Sequence, residues 1–229
     1  MLQERLNDAA IALNYHLTQN QTPHGIFGGY AITVLGKTRE TDNIDCLASI
    51  TKHECITLLN GKSGFVAKPR PRQDWIQFEW SEESGEPGSP IRVKIICEMF
   101  GGAKYNMSGV QPISRSVEGR YFRKGPCCLL DPFLIFKGKV CVAASRSKSR
   151  DFEDIQWLAD RYGPVIRERW REIKPRYIGF AMRRHPELEH LFGQLQVDIS
   201  EAKAFVHGVP TPSAVTEPAV GEAHEGLLG

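Results

Sequence analysis

The sequence lacks several patterns that would assign it to a familiar functional class. Its 229 residues contain no internal repeat and no apolar run long enough to cross a bilayer. The first twenty residues carry Gln3, Glu4, Arg5, Asn7 and Asp8, a composition unlike that of a secretory signal. These absences predict a cytoplasmic protein that has no membrane partner.

Motifs for zinc and for serine catalysis are also missing. The six cysteines form no C-x-x-C pair, and the seven histidines form no H-E-x-x-H element. No G-x-S-x-G element is present, so nothing supports a serine hydrolase. Cys46 and Cys97 lie in apolar segments and are interpreted as small core residues, with a reactive role as the alternative.

The overall charge is close to balanced, but the basic residues are clustered. Lys and Arg total 29 against 27 Asp and Glu, a net charge of +2 that requires no polyanionic partner. A solvated helix face is the ordinary interpretation of any single basic cluster, whereas several clusters together indicate a surface for RNA or phosphate. The clusters are Lys68, Arg70 and Arg72; Arg146, Lys148 and Arg150; and residues 161–184, with eight basic and two acidic residues.

Hydrophobic periodicity predicts an α+β fold with a mixed β-sheet of four or five strands flanked by helices, followed by a helical C-terminal region. Residues 129–144 are apolar and are expected to mix helix and strand. Helices are predicted at 2–19, 29–35, 52–60, 151–162, 164–174 and 186–195, and strands at 44–50, 65–68, 75–80, 91–97 and 114–118.

The domain organisation is predicted from these elements and from composition. Residues 1–162 are expected to form the core, and residues 163–205 a basic helical C-terminal extension. Residues 206–229 are rich in Pro, Ala, Gly, Glu, Ser and Thr and have few apolar anchors, which predicts a disordered tail.

A glycine pair followed by an acidic strand marks the candidate site. Gly28 and Gly29 open a short predicted helix and would let the backbone approach a phosphate closely. Asp45 follows on a predicted strand, where a carboxylate could hold a metal ion. Arg39 lies in the connecting loop and could contact a phosphate through both guanidinium nitrogens.

With these residues the chain resembles the nucleotidyltransferase superfamily, in particular its abortive-infection-type and fungal members. The family pattern is a glycine pair, then Arg-x-Thr, then Asp-x-Asp followed by an apolar residue. The resemblance covers about residues 26–158 and implies a nucleotidyltransferase-like fold. It also includes Arg70, Gln73-Asp74 and the strand through Trp80, and Lys139, Ala143, Arg146 and the segment Arg150 to Ile155.

The acidic residues depart from the family pattern. The position of the first carboxylate is Asn43, and Asp42 falls one residue early, so that on a strand it would point away from Asp45. The third carboxylate of the family pattern would come from the segment Arg92 to Glu98. Among the polar-facing positions of that segment, only Glu98 carries a carboxylate. A neutral ligand at Asn43 would weaken Mg²⁺ binding. The alternative is a bulge that lets Asp42, Asp45 and Glu98 hold Mg²⁺.

With these departures and its size, the chain resembles the fungal arginine-containing cyclodipeptide synthases. That resemblance implies arginyl-tRNA and a second aminoacyl-tRNA as partners, no metal, no ATP and no cofactor. Asp45 and Glu98 are then the expected catalytic acid and base. The expected substrate-binding residues are Gly28, Gly29, Arg39, Asn43 and Asp74. The alternatives are a Mg²⁺-dependent nucleotidyltransferase acting on RNA, protein or a small molecule, and a non-catalytic protein that binds tRNA or a nucleotide.

Two further carboxylates lie three residues apart on one predicted helix face. Asp151 and Asp154 are interpreted as structural partners of Arg146 or Arg150, and substrate binding is the alternative.

Overall fold

The computed structural model describes residues 2–82, 89–103, 105–213 and 219–229. The chain divides into two compact units, Met1–Asp131 and Pro132–Gly229. The first unit holds a mixed β-sheet with three helices, and the second is helical. The α+β class, the mixed sheet and the helical C-terminal region are therefore confirmed. The domain boundary expected at residue 162 falls inside a helix of the second unit.

Seven strands form the sheet of the first unit, in the order β3-β4-β5-β2-β1-β7-β6. Neighbours are antiparallel except for the β2–β5 and β1–β7 pairs, which are parallel. The strands are β1 (His24–Phe27), β2 (Asn43–Ala48), β3 (Phe65–Lys68), β4 (Trp75–Trp80), β5 (Ile91–Cys97), β6 (Ile113–Glu118) and β7 (Lys124–Leu129).

The two faces of the central strands differ in polarity. On β2, Ile44 and Cys46 are fully buried, while Asn43 and Asp45, which alternate with them, are partly exposed. The same alternation on β5 buries Val93 and Ile95. Side chains of a strand point alternately to opposite faces, so one face of the sheet is apolar and the other carries the polar groups.

Among the described residues of the first unit, three helices accompany the sheet: α1 (Leu2–Gln19), α2 (Gly28–Val34) and α3 (Lys52–Leu59). The first is held by the buried side chains of Leu6, Leu13 and Leu17, as its spacing predicts. The third begins at a capping box, in which Thr51 and Glu54 bond to each other's backbone.

Buried thiols lie within the apolar side of the first unit. Cys46, Cys55 and Cys97 are free and buried, as expected of small core residues. Burial raises the pKa of Cys46. A hydrogen bond to Cys97 and then burial raise the pKa of Cys55. The raised pKa values favour the protonated, unreactive thiol at Cys46 and Cys55.

The second unit consists of α4 (Pro132–Ser145), α5 (Ser149–Arg169), α6 (Pro175–Arg184), α7 (Glu187–Gln194), α8 (Ser200–Val206) and α9 (Glu222–Leu228). Gly163, which separates the helices predicted at 151–162 and 164–174, lies inside α5 instead. The two predicted helices are continuous except for a kink, because Tyr162 takes non-helical angles (φ −123°, ψ 19°) immediately before Gly163 and Pro164.

Part of the predicted tail is helical. Leu227 of α9 is buried, and a Cβ atom at Gly138 would lie 2.7 Å from its Cδ2. The absence of a side chain at Gly138 lets α9 pack on α4. Residues 214–218 of the same predicted tail lie outside the described residues. Within the described ranges, no helix combines the length and the apolar composition that crossing a bilayer requires.

Candidate functional site

The turn between β1 and α2 places the glycine pair against Asp45. Phe27, the last residue of β1, is the register partner of Asp45 on β2. Gly28 follows with φ +71°, in the left-handed region that favours glycine. A Cβ atom at this position would lie 3.0 Å from Oδ2 of Asp45. The missing side chain therefore leaves room for the carboxylate.

The absence of a side chain at Gly29 likewise leaves room for the side chains of Arg39 and Thr41. A Cβ atom at Gly29 would lie 3.0 Å from Nη2 of Arg39 and 3.0 Å from Oγ1 of Thr41. The structure thus brings Gly28, Gly29, Arg39 and Asp45 together, as the sequence predicts. Binding of a phosphate or an RNA end by this group remains a prediction.

Asn43 lies on the same side of β2 as Asp45 and bonds to it. The Nδ2 amide of Asn43 donates to Oδ2 of Asp45 at 3.0 Å. On β5, the register partner of Asn43 is Arg92 and that of Asp45 is Lys94. Register partners point to the same face of a sheet, so two basic side chains stand beside the carboxylate on this polar face.

Both basic residues of β5 have defined partners. Lys94 places its ammonium 4.5 Å from the ring centroid of Trp75, a cation–π contact. Nη2 of Arg92 lies 2.5 Å from Oδ2 of Asp42, and both side chains are more than half exposed. Asp42 is therefore ion-paired with the register partner of Asn43, on the polar face that also carries Asp45.

Glu98 is not beside Asp45, contrary to their expected shared pocket. Lys94 is the register partner of Asp45, and Glu98 comes four residues later in the chain. At about 3.3 Å of rise per residue, Glu98 lies about 13 Å further along the sheet. Its backbone N–H donates to the carbonyl of Ala48 at 3.0 Å, just past the ends of β2 and β5. A direct exchange of protons between the two carboxyls is excluded by this separation.

Asp74, expected to bind substrate, is engaged in an internal ion pair. Arg72 contacts it through two nitrogens, with Nε–Oδ1 2.9 Å and Nη2–Oδ2 2.6 Å. The Asp74 side chain is buried, and its backbone carbonyl accepts from the N–H of Cys97 at 2.9 Å. Asp74 therefore lies at the Glu98 end of the sheet, away from Asp45.

The alternative metal set of Asp42, Asp45 and Glu98 does not converge. The β2–β5 register is unbroken from Asn43–Arg92 to Ala48–Cys97, so no bulge within β2 replaces Asn43 beside Asp45, and Asp42 is paired with Arg92. In the described part of the chain, no group of three or more His, Cys, Asp or Glu could hold a metal ion. One carboxylate and one amide beside two cations do not fit a two-metal centre, which needs several anionic oxygens.

The second unit contains a buried ionic network of its own. Nζ of Lys139 lies 2.8 Å from Oδ2 of Asp154 and 3.9 Å from Oδ1 of Asp151. Arg146 contacts Asp151 through two nitrogens, at 2.7 and 2.9 Å. Both carboxylates are buried and compensated: Asp151 pairs with Arg146 as interpreted from the sequence, whereas Asp154 pairs with Lys139.

One buried carboxylate was missed by the sequence interpretation. Asp8 on α1 accepts hydrogen bonds from the backbone N–H groups of Arg120, Tyr121 and Phe122 at 2.9–3.1 Å. These amides belong to the turn between β6 and β7. The only signal in the sequence is an acidic residue next to the apolar positions Leu6, Ala9 and Ala10 of α1.

Comparison with solved structures identifies the fold. The chain is similar to an antigenic nucleotidyltransferase-like protein from Paracoccidioides brasiliensis, with a TM-score of 0.54, 15% identity, and coverage of 86% of this chain and 94% of that one. The antibiotic-resistance factor ANT(2″)-Ia gives a TM-score of 0.49 at 13% identity, covering 86% and 97%. JHP933 from Helicobacter pylori gives 0.45 at 13%, covering 97% and 88%. No protein-family model and no curated protein matches the sequence. The fold is nucleotidyltransferase-like, as predicted.

Proposed function

We propose that this chain uses a nucleotidyltransferase-like fold to make an arginine-containing cyclodipeptide from arginyl-tRNA and a second aminoacyl-tRNA in the cytoplasm. The observation that carries the proposal is the surroundings of Asp45. Asn43 bonds to it, and Lys94 and Arg92 occupy the neighbouring positions of β5. The site keeps one carboxylate and replaces the others with neutral or cationic groups, which favours a transfer that requires no metal.

The reaction is the aminolysis of an ester, carried out twice. The α-amine of one aminoacyl-tRNA attacks the ester carbonyl of the other, forming a C–N bond and breaking a C–O bond, and the released tRNA hydroxyl takes the proton. The amine of the resulting dipeptidyl-tRNA then attacks its own ester carbonyl, closing the ring and releasing the second tRNA. No redox step and no ATP is involved. The protein must hold the reacting groups together and accept a proton from the attacking amine.

Asp45 is the residue to which we assign the proton transfer. Its carboxylate adjoins Gly28 and is oriented by the amide of Asn43 at 3.0 Å. A carboxylate fixed by a hydrogen-bonding neighbour can accept the amine proton without first reorganising. Lys94, opposite Asp45, lies where a cation would favour the negative charge that develops on the carbonyl oxygen.

Each unit, taken by itself, carries exposed basic side chains suited to contact tRNA phosphates. In the second unit, Arg161, Arg167 and Arg171 are exposed. In the first unit, Arg70 is exposed, while Lys68 and Arg72 pair with Glu79 and Asp74. Phosphate contacts of such residues give affinity without sequence selectivity and are weakened by salt.

Expression in a bacterial host, with mass spectrometry of the medium for arginine-containing diketopiperazines, tests the proposal. The product should appear with the wild type and with Asp160→Asn, an exposed carboxylate of α5 used as a matched control. It should be lost with Asp45→Asn. The purified protein should keep its activity in EDTA.

Two outcomes would favour the other functions. Nucleotide turnover that EDTA abolishes, without any diketopiperazine, would indicate a Mg²⁺-dependent nucleotidyltransferase. Binding of tRNA or nucleotide by wild type and Asp45→Asn alike, with no product from either, would indicate a non-catalytic binding protein.

A further inference from the structure

A cavity opens at the ends of the two central parallel strands. Its volume is about 540 Å³, and it lies in the first unit. Because β2 and β5 run parallel, their carboxyl ends meet at this edge of the sheet. The cavity lining includes Thr51, Glu98, Met99, Phe100, Tyr105 and Asn106.

Glu98 is the notable group in this lining. Its side chain is buried, with the residue only 5% exposed. Within the described residues, Oε2 of Glu98 has no hydrogen-bond partner. A buried carboxylate oxygen without a donor is unfavourable, and native structures generally satisfy such groups. A ligand with N–H donors in the cavity would remove this cost.

Basic residues near the cavity have partners elsewhere. Arg72 is paired with Asp74, and Nζ of Lys52 donates to the backbone carbonyls of Arg70 and Arg72. No ion pair of Glu98 is present in the part of the chain that the structure describes. Among the described residues, the protein thus buries a carboxylate at a cavity wall and pairs Arg72 and Lys52 with other groups.

We propose that this cavity binds the guanidinium end of the arginyl group, with Glu98 as its carboxylate partner. This inference rests on the proposed function, of which it specifies the substrate subsite. A planar guanidinium presents paired N–H donors to a carboxylate and stacks on aromatic faces, and Phe100 and Tyr105 line the same cavity. An ammonium group lacks the planar face and the fork of donors.

The position of the cavity agrees with such a substrate. Glu98 lies about 13 Å along the sheet from the level of Asp45, at about 3.3 Å per residue. The reacting ester and amine of arginyl-tRNA lie at one end of the amino acid, and the guanidinium lies at the end of a long side chain. Asp45 would act at the first end and Glu98 would fix the second.

Binding of agmatine, a guanidinium compound without an ester or a carboxylate, tests the subsite without tRNA. Isothermal titration calorimetry should show binding to the wild type and about tenfold or more weaker binding to Glu98→Gln, a difference of about 1.4 kcal/mol. Asp45→Asn, far from the cavity, should bind like the wild type. The uncharged urea analogue of agmatine should bind more weakly than agmatine. Equal affinity of wild type and Glu98→Gln, or no binding to the wild type, would overturn the inference.

A second variant and a turnover measurement keep the test decisive. Phe100→Ala removes a stacking face without removing the charge and should also weaken agmatine binding, even if Glu98→Gln does not fold. If the protein forms the cyclodipeptide, Glu98→Gln should raise KM for arginyl-tRNA and leave KM for the second aminoacyl-tRNA unchanged. Agmatine binding through Glu98 without any cyclodipeptide would support the subsite and reject the proposed function. Cyclodipeptide formation by the wild type, with agmatine binding unchanged in Glu98→Gln, would support the proposed function and reject the subsite.

Discussion

Asn43 donates a hydrogen bond of 3.0 Å from its side-chain amide to Oδ2 of Asp45. The two residues occupy alternate positions of β2 and therefore share the polar face of the sheet. An amide at Asn43 stabilises a lone carboxylate, whereas a second carboxylate there would repel it.

Asn43→Asp should make the thermal stability of the protein depend on a divalent cation. Without metal, the variant should unfold at a lower temperature than the wild type, because two carboxylates then face each other. Added Mn²⁺ should restore part of the loss, as measured by differential scanning fluorimetry. Asn43→Ala, which removes the hydrogen bond without adding charge, should not respond to Mn²⁺. An equal Mn²⁺ response of the wild type would show that its own residues already bind the ion.

Gly28→Ala should impair activity more than its backbone strain alone explains. The left-handed conformation costs an alanine about 1 kcal/mol, and the new Cβ would also press on Oδ2 of Asp45 at 3.0 Å. Gly61→Ala is the matched control, since Gly61 has φ +75° and nothing within 4 Å of its added Cβ. Both variants should lose similar stability by urea denaturation, and only Gly28→Ala should lose turnover. Equal turnover of the two variants would mean that Asp45 tolerates the displacement.

Asp8→Ala should destabilise the first unit strongly. Removing the carboxylate leaves the N–H groups of the β6–β7 turn without their acceptor, at a cost of about 1–3 kcal/mol for an unsatisfied buried group. Urea denaturation measures the loss. Thr18→Ala, an exposed substitution on the same helix, should change the unfolding free energy by less than about 0.5 kcal/mol. A loss no larger than that of Thr18→Ala would refute the anchoring role.

The burial of the His24 imidazole should lower the free energy of unfolding at mildly acidic pH. The imidazole is buried between the carbonyl of Thr22 at 2.9 Å and Oδ1 of Asn14 at 3.2 Å. Burial lowers the pKa of His24 below its usual value of 6.5, so the unfolded chain binds the proton more readily. The stabilisation is complete above pH 6.5 and decreases as the pH falls through 6.5 toward the folded-state pKa.

Urea denaturation at a series of pH values checks the expectation for His24. The unfolding free energy of the wild type should fall below pH 6.5, and the slope should be smaller in His24→Gln. His53→Gln, an exposed histidine of α3, should keep the wild-type slope. Identical slopes in all three proteins would assign the acid sensitivity to other groups. The pKa of His16 is also lowered by burial, which leaves a residual slope in His24→Gln.

The alternation of apolar and polar residues predicted which face of each central strand is polar, but not how the strands pair. The alternation of β5 correctly places Arg92 and Lys94 on its polar side. Register, however, depends on which strands meet in the folded chain, and no single strand carries that information. Lys94 therefore took the position beside Asp45 that had been expected for Glu98.

Glycine and other turn residues predicted the ends of helices and strands correctly only where tertiary contacts did not favour another local structure. The glycine pair at Gly28 does mark the turn beside Asp45. No strand is predicted between the helices at 2–19 and 29–35, yet His24–Phe27 forms β1 because strands on both sides supply hydrogen bonds. Gly163 does not end α5, since the helix resumes after a kink at Tyr162.

The buried thiols of the first unit provide an intrinsic reporter of its opening. Cys46 and Cys55 are fully buried, and their pKa values are raised. Cys141 of the second unit is only partly buried, so it is not such a reporter. Alkylation of Cys46 or Cys55 must await an opening that exposes the sulfur, so their labelling rates, resolved by peptide mass spectrometry, would time the opening of the sheet.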